Sequence, residues 1–194
     1  MPTKNTRGFT LIELMIVVTI VSVLAALAAV AYTRVTRNQR YSEAVNFIAT
    51  VHAGQAMYRT SYGRYCSQVP VTTQPTELQY DPALNSLLDA EGGSILWSTP
   101  HRAWAECLIQ TPSQTRFQYM MMGASAGTNC INPPVRDGTP SLPSQSPCAA
   151  IDTTATDWYW ITMRGDLDGD EVMSYTHSHS EMQDSPAYRI AHNE

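Results

Sequence analysis

From Leu14 to Tyr32 the chain runs for 19 consecutive positions without a charged residue, most of them aliphatic. At about 1.5 Å per residue, a helix of that length crosses the roughly 30 Å hydrocarbon core of a bilayer. A short basic start before such a run, here Lys4 and Arg7, is commonly a secretory signal peptide, and Ala26-Leu27-Ala28 and Ala29-Val30-Ala31 offer small-x-small cleavage sites. Two features oppose that reading. The run is long enough to span, and Glu13 sits near its start, where a charge costs about 2.5–3.5 kcal/mol at mid-membrane and somewhat less near an edge. An acid held there calls for a partner. The flanking cations give no orientation, because Lys4 and Arg7 on one side face Arg34, Arg37 and Arg40 on the other.

Twelve Lys and Arg against 17 Asp and Glu leave a net charge of −5 over 194 residues, which argues against a dedicated nucleic-acid binder. Only 15% of residues are charged, against about 25% in average soluble proteins. Ser, Thr, Gln, Asn and Pro carry the polar load instead, as in exported proteins. Cys66, Cys107, Cys130 and Cys148 form an even set with no C-x-x-C pair, which fits two disulfides better than a zinc site or a redox motif. Three pairings are open.

From Thr33 to Tyr62 there is no proline, and Ala44, Phe47, Ile48, Val51, Gln55, Tyr58 and Tyr62 recur at spacings of three and four. This predicts an amphipathic continuation of the first helix. Phe9 to Tyr62 as one helix would be about 80 Å long, its first half in lipid and its second half against a soluble domain. Gly63 is placed to end it in a left-handed C′ conformation. Residues 64–100 hold four prolines and one short helix around Pro82 to Ala90. Trp104 to Gln110 and Arg116 to Met122 read as a hairpin joined by 111–115, and Trp158 to Arg164 pairs with Glu171 to His177 in a second. Between them, five of the 12 prolines lie from Pro133 to Pro147. A Cys130–Cys148 bond would staple that loop, contributing about 3 kcal/mol in the chain-entropy model. Cys130–Cys148 with Cys66–Cys107 is therefore the preferred pairing. The expected fold class is α+β, a long N-terminal helix packed on an antiparallel sheet of about four strands.

The run Arg7-Gly8-Phe9-Thr10-Leu11-Ile12-Glu13-Leu14-Met15 closely resembles the class III signal of type IV pilins and type II secretion pseudopilins. The resemblance implies that a prepilin peptidase cuts between Gly8 and Phe9 on the cytoplasmic side and methylates the new N-terminus at Phe9, leaving 186 of the 194 residues. Glu13 is then the fifth mature residue. An α-amino group has a pKa near 7.7–8.0 and is largely cationic at neutral pH, so in a staggered helical stack Glu13 can meet the Phe9 amine of a neighbouring subunit. Such a pair sets register more than net stability. Ala53 to Tyr65, with aromatic residues on both sides of Gly63, resembles the end of the pilin spine helix. Many pilins carry a glycine and a proline inside the helix where this chain has Ser22 and Val30, so a straighter helix is expected here.

Taken with the residues, the resemblance implies a leader at 1–8, a transmembrane and filament-core helix at 9–32, its amphipathic half at 33–62 and a pilin head at 63–194. It implies an inner-membrane precursor that later stands in a cell-surface or periplasm-spanning filament. Its partners would be other pilin subunits, the prepilin peptidase, an inner-membrane assembly platform and, before assembly, the membrane itself. No nucleic-acid partner is indicated. The chain is expected to be a structural subunit of a filament for adhesion, motility or secretion, and not an enzyme. The alternatives are a type II secretion pseudopilin, or a periplasmic or secreted globular protein with an ordinary signal peptide and a mature start near Ala28 to Tyr32.

Three further patterns could carry chemistry. Gly165-Asp166-Leu167-Asp168-Gly169-Asp170-Glu171 spaces carboxylates as a calcium loop does, with Asp166, Asp168 and Asp170 the candidate ligands. The sixth position is Glu171 where glycine is needed, and the twelfth is His177 where a bidentate Glu is needed. A plain hairpin turn at Asp168-Gly169 stands as the other reading. Gly123-Ala124-Ser125-Ala126-Gly127 matches a G-x-S-x-G nucleophile elbow in letters, but Thr128 to Pro134 cannot begin the helix an elbow requires. His177 and His179 share a strand face as a metal pair would, yet among Ser and Thr near the chain end they read as exposed polar residues. His52, on the helix, reads as a hydrogen-bonded packing residue.

Overall fold

A computed structural model of the chain describes residues 9–72, 74–75, 80–81, 95–97, 102–134, 147–165, 174–181 and 188–190. Helix α1 runs Leu11–Tyr62. It is followed by the short strand β1 (Ile95–Leu96), helix α2 (Arg102–Glu106), β2 (Gln114–Thr115), β3 (Gln118–Ala124), a 3-10 turn at Pro147–Ala149, β4 (Trp158–Gly165), β5 (Ser174–His179) and β6 (Tyr188–Ile190). The class is α+β. Two compact units, Met1–Gln39 and Arg40–Glu194, divide the chain.

In the first unit the apolar stretch Leu11–Ala29 has no buried share. Its polar side chains turn back onto the helix. The Thr19 hydroxyl donates to the carbonyls of Met15 (3.1 Å) and Ile16 (2.8 Å), and the Ser22 hydroxyl to that of Val18 (2.7 Å). A hydroxyl that donates within its own turn presents no unmet donor to an apolar surrounding.

The second unit is built around a four-stranded antiparallel sheet of order β3-β4-β5-β6. The pairing Met121 with Ile161 and Met122 with Trp160 sends alternate residues to opposite faces, and both faces are covered. On one face, Ala44, Phe47, Ile48 and Val51 of α1 join Tyr119, Met121, Ile161 and Met163 in a core. Phe47 anchors it, with ring centroids 4.4 Å from Tyr119, 5.4 Å from Trp97 and 5.7 Å from Trp104. On the other face, Met120, Met122, Trp158 and Trp160 pack with Val69, Tyr80 and Ile151. The indoles of Trp158 and Trp160 donate to the carbonyls of Thr128 and Ile131, both 3.1 Å, which satisfies two donors a buried indole would otherwise strand. The loop carrying those carbonyls is joined to the 3-10 turn by a Cys130–Cys148 disulfide, and Cys66 is bonded to Cys107.

Helix α1 ends as its sequence dictates, with Gly63 at φ +72° and its amide bonded to the Arg59 carbonyl. The first expected hairpin does not form. Trp104 begins no strand; it lies in α2, and β3 pairs with β4 instead of with residues 104–110. The reason is burial. A one-turn helix followed by Leu108 at φ +63° places Trp104, Cys107 and Ile109 together in the core, which an alternating strand would split between two faces. The second hairpin is present as β4 with β5, beginning in the described residues at Ser174. The short helix expected around Pro82 to Ala90 lies outside the described residues.

The β3 edge is closed by the chain that follows α1. The amides of Gln68 and Val69 donate to the Met121 carbonyl, the Gln68 side-chain oxygen accepts from the Met121 amide at 3.0 Å, and Asp81 exchanges two backbone bonds with Tyr119. The Asp81 carboxylate, 5% exposed, is held by the Trp104 indole at 2.9 Å and the Gln68 amide at 3.1 Å. Gly123 is obligatory at this junction, because a Cβ there would stand 2.4 Å from the Cys66 carbonyl oxygen. Gly123→Ala is expected to lower the stability of the head by about 1–3 kcal/mol, read as a shift of the thermal midpoint of its near-UV circular dichroism.

Candidate functional site

The N-terminal helix is the part of the molecule whose surface asks for something outside it. Phe9 is 82% exposed, and Leu11, Ile12, Leu14, Met15, Ile16 and the aliphatic residues onward to Leu27 are exposed as well. Contiguous apolar surface on this scale marks a membrane or protein contact.

Its start is a capping box. The Thr10 amide donates to Glu13 Oε2 at 3.0 Å, the Thr10 hydroxyl donates to the same oxygen at 2.8 Å, and the Glu13 amide returns a bond to Thr10 Oγ1 at 3.4 Å. Thr10 and Glu13 thereby satisfy donors that a helix start leaves open. The signal is in the letters as Thr-x-x-Glu, which a reading of Glu13 as a membrane charge alone does not capture. The carboxylate also stands in the first turn, where the helix dipole favours negative charge. Phe9 lies immediately before this cap. Gly8 lies outside the described residues.

The comparisons with known proteins bear on this segment. A family model described as the prokaryotic N-terminal methylation motif matches residues 3–29. The motif indicates a type IV pilin-like or pseudopilin precursor. It is the class III prepilin signal, and it covers the cap, Glu13 and the apolar helix. Neither a curated protein nor a solved structure matches the chain. Pilins and pseudopilins are structural proteins, and the apolar helix and the signal fit a membrane-anchored precursor.

The remaining sequence candidates fall elsewhere. Asp166, Asp168, Asp170 and Glu171 lie outside the described residues. Among the described residues no group of three or more His, Cys, Asp or Glu is placed to hold a metal. Ser125 follows the end of β3 and leads into a turn with Gly127 at φ +82°, so the G-x-S-x-G run is a strand exit and not an elbow.

The two histidines of β5 differ from the expectation of exposed polar residues, while His52 has the expected hydrogen-bonded packing role. His177 and His179 are buried on β5, because the face they share with Trp160 lies under the disulfide-stapled loop side of the sheet. His52 bridges α1 to the sheet, with Nδ1 against the Tyr159 hydroxyl and Nε2 2.8 Å from Ser178 Oγ. Burial, with the neighbouring His179 as a smaller cause, pushes His177 down to about 4 and lowers His52. Burial also lowers His179, partly offset by Glu181. These imidazoles are neutral in the folded head and take up protons once it unfolds. Stability is therefore complete above the ordinary histidine value of 6.5 and is lost as pH falls toward 4. His177 adds a slope of about 1.4 kcal/mol per pH unit in that window, and the other two add less. Urea midpoints measured from pH 7 to 4 should fall accordingly, and more shallowly in His177→Gln.

Proposed function

We propose that this chain is a structural subunit of a type IV pilus-like filament, cleaved by prepilin peptidase between Gly8 and Phe9, N-methylated at Phe9 and polymerised through its N-terminal helix. The observation that carries the reading is the methylation motif at 3–29 lying on a capped helix whose apolar side chains have no cover of their own. In this reading residues 1–8 are a leader, 9–32 anchor the precursor in the inner membrane and later form the filament core, 33–62 complete the spine helix, and 63–194 form the outward head. Burial of the Leu14 to Val30 segment against neighbouring copies drives polymerisation at about 25 cal/mol per Å² of apolar surface covered. Phe9 and Glu13 set the stagger between subunits, and the assembly platform of the inner membrane supplies the site of addition. The head faces outward and decides adhesion, motility or coupling to secretion.

Shearing filaments from cells and quantifying the N-terminal peptide by mass spectrometry tests this. An N-methylated Phe9 peptide in the sheared fraction is the expected result. The same peptide retained in the envelope and absent from sheared filaments would assign the chain to a secretion pseudopilus. A mature start near residue 30 would overturn the reading in favour of an ordinary secreted protein.

A further inference from the structure

The head carries a cleft that polymerisation through the N-terminal helix leaves unused. It has a volume of about 570 Å³, inside the roughly 300–1,000 Å³ range of small-molecule sites. Its walls come from the end of α1, the chain from Arg64 to Val71, α2, the end of β3 and the residues after it.

Those walls are fixed independently of any ligand. The buried Gln55 amide brackets Cys66, donating to its carbonyl at 3.0 Å and accepting from its amide at 2.9 Å. Ser67 Oγ accepts from the Gly123 amide at 3.0 Å and donates to the Val69 carbonyl at 2.6 Å. The Cys66–Cys107 disulfide then ties this loop to the end of α2. A site held this firmly loses little freedom when it binds.

The chemistry of the lining selects a ligand class. Arg64 and Glu106 put both signs of charge on one cleft, and both side chains are exposed, as is Ser125. A bare anion meets the carboxylate and a bare cation meets the guanidinium, so neither is favoured. Thr128 adds a hydroxyl, while Tyr58 and Pro70 add apolar surface beside these polar groups. A guanidinium fork and a carboxylate each engage two neighbouring hydroxyls at once, one as donors and the other as acceptors. An aromatic ring meanwhile packs against a C–H face. A neutral ring dense in hydroxyls satisfies all of these together. We infer that the cleft bounded by Tyr58, Arg64, Glu106 and Ser125 is a saccharide-binding site that takes one or two sugar rings of a glycan. It needs only the folded head, so it stands or falls separately from the filament reading.

The test is saturation-transfer NMR on the full chain in lipid nanodiscs, free of glycoside detergent, with a panel of methyl glycosides and disaccharides. Saturable transfer to at least one sugar is expected, with affinity reduced about tenfold or more in Arg64→Ala and in Glu106→Gln, the scale of a lost charged hydrogen bond. Ser61→Ala, on the helix outside the cleft lining, should bind as the parent does. Near-UV circular dichroism of the buried tryptophans establishes that each variant is folded. Absence of transfer to every sugar, unchanged affinity in both folded cleft variants, or transfer to short peptides in place of sugars would overturn the assignment.

Discussion

Glu13→Gln is expected to reach the membrane normally and then to be lost from filaments by a factor of hundreds relative to the parent chain. The substitution separates the observed capping role of this carboxylate from its proposed pairing with a neighbouring subunit. Glutamine keeps an acceptor oxygen for the Thr10 amide and hydroxyl, which now reach Glu13 Oε2 at 3.0 and 2.8 Å, so the helix cap persists. What disappears is the charge. In a staggered stack the cationic amine of Phe9 would then enter an apolar environment without its counter-ion, and an uncompensated buried charge costs about 3–5 kcal/mol. At 1.4 kcal/mol per tenfold, that is a factor of hundreds to thousands per contact. Thr10→Ala provides the complementary loss: it weakens the cap by about 1 kcal/mol and leaves the charge, so incorporation should fall only severalfold. The ratio of filament to membrane subunit, measured by quantitative mass spectrometry, checks both. Equal defects in the two variants would mean that capping, and not charge pairing, is what Glu13 contributes.

Removing the Cys66–Cys107 disulfide as a double serine variant is expected to destabilise the head by about 4 kcal/mol in the chain-entropy model for its separation of 41 residues. The same change at Cys130–Cys148, with a separation of 18, should cost about 3 kcal/mol. Local consequences widen the difference. Cys66 is the residue that Gln55 brackets and that Gly123 approaches, and Cys107, directly after α2, is fully buried. Losing that bond loosens the cleft wall and the cover of the β3 edge together. Chemical denaturation of each variant, followed by tryptophan fluorescence, gives the two values. A larger loss at Cys130–Cys148 would show that the outer loop governs head stability.

The helix was legible because one physical cause repeats along it. The uncharged run to Tyr32, the three-and-four spacing from Ala44 to Tyr62 and the glycine at 63 all specify the same element, and α1 runs Leu11–Tyr62. The β4–β5 pairing was legible from alternation within a short span. The segment from Trp104 to Gln110 was not. Its aromatic and branched residues carry strand propensity, yet its conformation is decided by Phe47, 57 positions earlier in the chain, and by the bond to Cys66. β3 likewise finds its partner in β4, separated from it in sequence by residues 125–157, and its other neighbour in Gln68 and Asp81. No local window contains those contacts. The histidines of β5 mislead for a related reason: a polar strand near the chain end reads as exposed unless a second layer covers its far face, and that layer is built from residues 128–134 and 147–151. The cap at Thr10 and Glu13 is the opposite case, since its spacing is on view in the letters and only its bonds need the structure.

Closing the β3 edge bears on what kind of polymer this protein can become. An open strand edge is a template that any identical chain can extend by main-chain hydrogen bonding, and in the filament proposed above subunits would meet at high local concentration. Along β3 that template is taken up by Gln68, Val69 and Asp81 of the same chain. Growth by strand addition is blocked on that side, where it would have competed with helical stacking and trapped misordered aggregates. In the proposed filament, Gln68, Val69 and Asp81 would therefore guard the order of assembly.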